Sequence, residues 1–209
     1  REIDLVLEEL DLVDSHVQRM VQPDYRTLVF ELYRPGERFH VLVSLEQGAT
    51  RLHRLSRKPG KPKKAQRFEQ FLRARLEGGR VVAAYQIEGE RIVKITVERA
   101  GERTLLWIRL WGGAANVIAT DADGIILDAV YRRPKRDEVS GARYDPEADI
   151  SRSEEGAEKR RARLESFTVR EHPPEQSFNE FLEEVYGQRA HEERREQIAA
   201  GVRKRLQTE

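Results

Sequence analysis

The chain has no cysteine, which excludes disulfide staples and thiolate metal sites and fits a reducing compartment. Its five histidines, His16, His40, His53, His172 and His191, are scattered with no pair at metal-ligand spacing. No stretch approaches the ~18 consecutive apolar residues of a membrane helix, and no basic-then-apolar leader opens the sequence. These absences lead to the expectation of a soluble, cytoplasmic protein. Also missing are a nucleophile with a neighbouring base, a glycine-rich phosphate loop of the right form and a carboxylate cluster. Gly78-Gly79 reads as a helix stop, and Asp121-x-Asp-Gly124 lacks the later ligands of a calcium loop. The reading is of a binder, not an enzyme, with no metal and no cofactor.

What the sequence does have is charge. Lysine and arginine number 38 against 37 aspartates and glutamates, so the net charge of +1 conceals dense charge of both signs, segregated along the chain. Residues 56–67 (SRKPGKPKKAQR) hold six basic residues, two prolines and no acid, and predict a strongly positive, mobile loop. Lys58, Lys61, Lys63 and Lys64 in that loop, with the second basic cluster at Arg132 and Arg133, are candidate phosphate contacts, because each neutralised phosphate releases counterions. A solvated linker is the plainer reading of such a run.

At 209 residues the chain suits one domain or a domain with an appendage. Ile3, Val6, Leu7, Leu10, Val13, Val17 and Met20 recur at helical spacing and predict one amphipathic helix over residues 1–20, broken at Gln22-Pro23-Asp24. Residues 25–33 and 39–45 flank Arg34-Pro-Gly-Glu37 as a hairpin. Phe68, Phe71, Leu72 and Leu76 predict a helix ended by Gly78-Gly79, and residues 81–97 are β-rich but interrupted by Gln86, Glu90 and Arg91. Further strands are expected at 104–111, 116–120 and 125–131, about seven in all from residue 25 onward. The fold class is α+β, an antiparallel β-sandwich flanked by helices. Residues 135–176 read as a poorly packed polar connector with a short helix near 154–164. Ser177-x-x-Glu180 is a capping box that opens a helical, coiled-coil-like arm over 177–209, capable of pairing with another copy.

Several of these segments together resemble the N-terminal domain of the NFACT family, the fibronectin-binding-protein-A-like proteins that include RqcH and NEMF. The resemblance rests on Gln22-Pro23-Asp24, Leu72–Arg80 (LRARLEGGR), Gln86 with Glu90-Arg91-Ile92, Asn116-Val-Ile, and Asp121-x-Asp-Gly124-x-Ile-Ile-x-Asp-Ala129. It covers about residues 3–134, with Ser177-Phe-Asn-Glu180 similar to the start of the family's coiled coil. It implies a fold similar to the N-terminal domain of formamidopyrimidine-DNA glycosylase without base excision, since Arg1-Glu2 cannot supply those enzymes' proline amine. It also implies an RNA-binding adaptor that engages tRNA or rRNA on the large ribosomal subunit carrying a stalled nascent chain. The family's Asp-Arg pair falls on Glu90-Arg91. A second signature, Met-Gly-Arg-His-Ser-Asn, keeps only its glycine and asparagine in Trp111–Asn116, and the lost Arg and His are contacts on which alanine tailing would draw.

The candidate nucleic-acid-binding residues are therefore Arg91, Glu90, Gln86, Asn116, Arg80, Lys58, Lys61, Lys63, Lys64, Arg132 and Arg133. Plainer roles stand beside them: Arg91 as a strand-edge arginine paired with Glu90 or Glu88, Gln86 as a cross-strand partner, and Asn116 as a turn residue. Trp107 and Trp111, four apart, are expected on one face of a strand as packing residues. A surface adhesin, or a scaffold that associates through its terminal helix, are the other functional classes considered.

Overall fold

The computed structural model describes residues 1–60, 64–151 and 154–206. In chain order the elements are α1 (Glu2–Leu10), β1 (His16–Asp24), β2 (Thr27–Arg34), β3 (Glu37–Ser44), β4 (Arg51–Leu55), α2 (Arg67–Leu76), β5 (Arg80–Gln86), β6 (Ile92–Arg99), β7 (Glu102–Arg109), β8 (Asn116–Thr120), β9 (Ile126–Ala129), α3 (Pro146–Ser151), α4 (Glu154–Ser166) and α5 (Phe178–Leu206). Among the described residues nine strands form one antiparallel sheet in the order β4-β3-β2-β1-β5-β6-β7-β8-β9.

The single helix expected over residues 1–20 is instead a helix and a strand. α1 ends at Leu10 because Asp11 turns left-handed (φ 46°), and Asp14 does so again at φ 67°; aspartate tolerates that region better than most residues. Val13, assigned to the apolar stripe, is 45% exposed. Val17 and Met20 looked helical because β1 carries a bulge: the register passes from Val17↔Leu32 to Arg19↔Glu31 and Met20↔Phe30. The extra residue puts side chains three apart on one face, a spacing that a regular strand does not give. Pro23 sits in a second irregularity, between Val21 and Asp24, so it ends no helix. The strand count of seven also misses β4, whose sequence Arg-Leu-His-Arg-Leu places one leucine, Leu52, in the main core.

The sheet is continuous but narrow at its middle. β1 and β5 pair at only one Cα position, His16↔Arg80, reinforced by Val17 N–H donating to Gly79 O at 2.8 Å and Val81 N–H to Ser15 O at 2.8 Å. The four strands before this joint and the five after it curl over one core. Phe30, Leu32 and Val41 from the first half and Val81, Ile95 and Val97 from the second line the same internal space. This is how a single sheet provides the two inner faces expected of a sandwich. α1 packs against β4, β5 and α5.

A second core lies on the other face of the second half, where Ile87, Ile92, Leu105, Trp107, Ile118 and Ile126 are buried beneath Ala142, Tyr144 and Ile150. The first part of the expected polar connector is therefore packed, and Glu138 within it is only 3% exposed. Trp107 donates to Thr120 Oγ1 at 3.0 Å, which satisfies its indole N–H.

The capping box at α5 forms as expected: Ser177 N–H donates to Glu180 Oε2 at 2.9 Å, and Glu180 N–H to Ser177 Oγ at 3.2 Å. Glu9 of α1 adds a second cap, accepting from Phe178 N–H (2.7 Å) and Asn179 N–H (2.9 Å). Asn179, 3% exposed, ties three elements together by donating to Val6 O and accepting from Arg54 N–H of β4 at 2.8 Å. Beyond these first turns α5 is exposed, with Ile198 and Val202 both facing solvent.

Two stability tests follow from this packing. A Cβ on Gly79 would lie 2.7 Å from Val97 Cγ1 and 3.0 Å from Leu76 O, whereas Gly78, at φ +84°, has nothing within 4 Å. Gly79→Ala is expected to cost roughly 2–3 kcal/mol by chemical denaturation, and Gly78→Ala about 1 kcal/mol from backbone strain alone.

His53 is 1% exposed; its Nε2 accepts from Arg51 Nε at 3.2 Å, so Nδ1 carries the proton toward Arg54 O at 2.7 Å. Burial, with Arg51 beside it, lowers its pKa from 6.5 to about 4. The unfolded chain takes up this proton at about 6.5 and the fold only at about 4, so stability is full above that window and is lost as pH falls through it. Between pH 7 and pH 5 the loss is about 2 kcal/mol. The carboxylates held below 4.5, Glu37 by Arg54 and Arg34 among them, lose their contribution only in stronger acid. His53→Gln should flatten the decline between pH 7 and 5 in denaturation curves.

Candidate nucleic-acid interface

At one end of the second half-sheet, where β5 stops, β6 starts and β7 stops, lies a cleft of about 720 Å³. Its walls are the β5–β6 turn with Gln86, Glu90 and Arg91, then Trp111, the first turn of α1, and the end of α4 with Arg163, Leu164 and Phe167. The turn is held rigid. Glu90 N–H donates to Ile87 O at 3.0 Å, Ile87 N–H to Ile92 O at 2.9 Å, and Gln86 Nε2 to Glu90 O at 2.7 Å. Gly89 supplies the positive φ of 74° and also lets α4 approach, since a Cβ there would sit 2.7 Å from Arg160 Cβ.

Arg91 is anchored through its backbone, whose carbonyl accepts from Leu110 N–H at 2.8 Å, while its side chain is exposed. Among the described residues neither its guanidinium nor the Glu90 carboxylate has a hydrogen-bond or ion-pair partner, so the pairing considered for them does not form. The Gln86 Oε1 atom is buried without a partner.

Trp111 departs from its expected place. β7 ends at Arg109, so strand alternation no longer governs residue 111; Trp107 is 1% exposed and Trp111 37%. The Trp111 ring lies over the Arg109 guanidinium, 5.6 Å from centroid to Cζ, and faces the cleft. Phe167, 51% exposed, lines the same cleft. Neither aromatic was singled out for this site. Phe167 was legible as a large apolar residue in a charged segment, whereas Trp111 required knowing where the strand stops.

The other candidates lie elsewhere. Asn116 is fully buried: its Nδ2 donates to Tyr131 O and Glu138 Oε2, both at 2.9 Å, and its Oδ1 accepts from Val117 N–H and Tyr131 N–H, both at 3.0 Å. Glu138 is gripped as well by Arg109, itself 5% exposed, at 2.5 Å. Arg80 opens β5 six residues before Gln86, about 20 Å away along the strand, and pairs with Asp14 at 2.8 Å.

Arg132 reaches Asp128 at 3.2 Å, and Arg67 reaches the same carboxylate. Arg133 donates to Ala115 O at 3.2 Å. Lys58 and Lys64 are exposed, and Lys64 shares a surface hollow with Arg67, so the end of the basic loop and Arg132 converge near Asp128. Lys61 and Lys63 lie outside the described residues.

α3, which precedes the α4 wall of the cleft in the chain, is pinned to β5 and β6 by a clasp in which Glu147 accepts from Lys94 at 2.6 Å and from Tyr85 at 2.8 Å. Burial works against the Lys94 ammonium, but Glu147 and Tyr85 outweigh it and hold its pKa above that of a free lysine. Among the described residues no cluster of His, Asp and Glu could hold a metal ion, and no helix is long and apolar enough to cross a membrane.

The fold of this curled antiparallel sheet is similar to that of three bacterial fibronectin- or fibrinogen-binding proteins. The N-terminal part of the fibronectin/fibrinogen-binding protein from Streptococcus suis aligns at TM-score 0.63 and 20% identity over 68% of this chain and 58% of that one. The N-terminal domain of fibronectin-binding protein PavA from Streptococcus pneumoniae aligns at 0.63 and 24%, over 67% and 60%. The fibrinogen-binding protein from Staphylococcus aureus aligns at 0.60 and 17%, over 89% and 79%. The chain thus spans less than two thirds of the first two structures. No curated protein sequence matches it. The chain belongs to the NFACT N-terminal and middle domains family, whose profile matches residues 3–146.

The contrast between Asn116 and Arg91 is testable without a ligand. Asn116→Ala leaves Glu138 short of a donor and the Tyr131 backbone without partners, and should cost roughly 2–4 kcal/mol. Arg91→Ala should change stability by less than about 0.5 kcal/mol. Urea denaturation of both variants measures the difference.

Proposed function

We propose that this chain is an RNA-binding adaptor domain that engages tRNA or rRNA on the large ribosomal subunit, and that it is a binder with no catalytic chemistry of its own. The observation that carries the reading is the unpaired Arg91 guanidinium beside the exposed Trp111 ring in one cleft. An arginine fork grips phosphate or a base edge, and a tryptophan face stacks a base. The family register supports this, because its Asp-Arg pair falls on Glu90-Arg91. Lys58 and Lys64, exposed away from the cleft, would offer separate phosphate contacts. The likeness to glycosylase N-terminal domains, the cytoplasmic location and a coiled-coil role for α5 belong to the same proposal. Alanine tailing does not, since the Trp111–Asn116 segment lacks the family's Arg and His.

A second reading, binding to an extracellular-matrix protein, takes its support from the names of the three similar structures. Both readings are tested with one preparation. Fluorescence anisotropy should give a tRNA affinity that falls steeply between 50 and 200 mM salt. Arg91→Ala should weaken it roughly 5- to 50-fold and lower the salt slope by about one, and Trp111→Ala should weaken it to a similar extent. A salt-insensitive or undetectable tRNA interaction, together with saturable binding to immobilised fibronectin, would reverse the preference.

A further inference from the structure

Beside the cleft lies a second cavity of about 270 Å³, lined in part by Glu2, Thr50, Arg51, Arg91, Arg170 and Tyr186. It shares Glu2, Ile3 and Arg91 with the cleft, so Arg91 stands between the two. Its charges do not balance. Arg170 grips Glu2 with two parallel bonds of 2.9 Å, and that pair is neutral. Arg51 donates only to uncharged acceptors, Ala49 O at 2.8 Å and the neutral His53 at 3.2 Å. Among the described residues no carboxylate pairs with Arg51 or with Arg91.

The like charges are also crowded. The Arg51 and Arg170 guanidiniums stand 4.3 and 6.0 Å from the centroid of the one Tyr186 ring. Burial holds the pKa of Arg51 below the usual arginine range, against the opposing pull of Tyr186 and Glu46. A half-buried, unmatched guanidinium is costly, and a bound anion relieves that cost.

The sum over Arg51, Arg91, Arg170 and Glu2 leaves two positive charges facing this space. A carboxylate would balance one of them, whereas a phosphate monoester carries about −1.5 to −2 at neutral pH and offers three acceptor oxygens to arginine forks. An internal phosphodiester, with a single charge, fits less well. The cavity is also smaller than the ~300–1,000 Å³ of a pocket that holds a whole small ligand. It suits one group of a ligand whose body extends into the adjoining cleft.

We propose that this cavity is a phosphate-monoester subsite: Arg51 and Arg91 hold the phosphate, and the nucleoside that bears it lies in the cleft against Trp111. This rests on the RNA reading and makes it more specific, in that the site takes a terminal or free nucleotide phosphate and not the diester backbone.

The test is calorimetry on the full chain at constant ionic strength, with adenosine 5′-monophosphate, inorganic phosphate and adenosine as ligands, and Trp111 fluorescence as a second readout. Saturable binding in the order monophosphate, then phosphate, with none for adenosine, is the expected result. Arg91→Gln should weaken the monophosphate at least tenfold, as should Arg51→Met. Should the Arg51 variant fail to fold, Arg91→Gln decides, because that side chain is exposed and bonded to nothing.

Binding no different from that of chloride or sulfate, or unaltered in Arg91→Gln, would overturn the subsite. The two proposals fail separately. Binding of tRNA without any monophosphate or phosphate binding refutes the subsite alone, and monophosphate binding without tRNA binding refutes the RNA reading while the subsite stands.

Discussion

The Glu138 carboxylate, almost wholly removed from solvent, is the point on which the cleft end of the molecule depends. It accepts from Arg109 of β7 and Asn116 of β8, so one side chain from a loop after the sheet joins two strand ends. Removing one partner of a buried ion pair typically costs ~3–5 kcal/mol, because the survivor is left charged and unmatched. Here that interaction also fastens residues 138–150 over the second core, and the chain continues from there to the end of α4, which forms the far wall of the cleft. Arg109 also lies beneath Trp111. The exposed aromatic is thus supported by the same buried pair that holds the wall opposite.

The cleft itself follows from how the sheet closes. β1 and β5 are joined over a short stretch, residues 14–17 against 78–81; the two halves curl over a common core on either side of it, and the ends of β5, β6 and β7 emerge next to α1. Gly79 fits that joint, where a side chain would press on Val97 and on two carbonyls.

Much of this was legible in the sequence, and each failure has a physical cause. The α2 helix, its glycine stop, the β2–β3 hairpin, the Asp121–Gly124 turn and the Ser177–Glu180 capping box rest on local chemistry, which a sequence carries directly. The β1 bulge was invisible because it imitates helical spacing, and β4 because an edge strand beside a helix needs few apolar residues. At the site, Gln86, Glu90 and Arg91 belong to one short turn and could be recognised together. Asn116 carries the second family signature yet is consumed by internal hydrogen bonds, and no local pattern separates a polar residue that binds a partner from one that holds a carboxylate. Arg51 and Tyr186 come together only through the docking of α5 on β4, a contact that spans most of the chain.

That docking has a mechanical consequence. α5 is fastened over its first turns, where Glu9 caps it, Asn179 reaches Val6 O and Glu183 accepts from Ser56 N–H at 3.0 Å, and again at Arg189, which donates to Gly48 O at 3.2 Å; beyond Arg189 it reaches about 25 Å further with its side chains mostly in solvent. Such a helix is a lever whose fulcrum is β4 together with α1, and the first turn of α1 borders both cavities. A sideways load on the distal arm would meet the Gly48 and Ser56 attachments first and then the Glu9 cap. Force on the arm is therefore shared between the free edge of the sheet and α1 before it could reach the cleft.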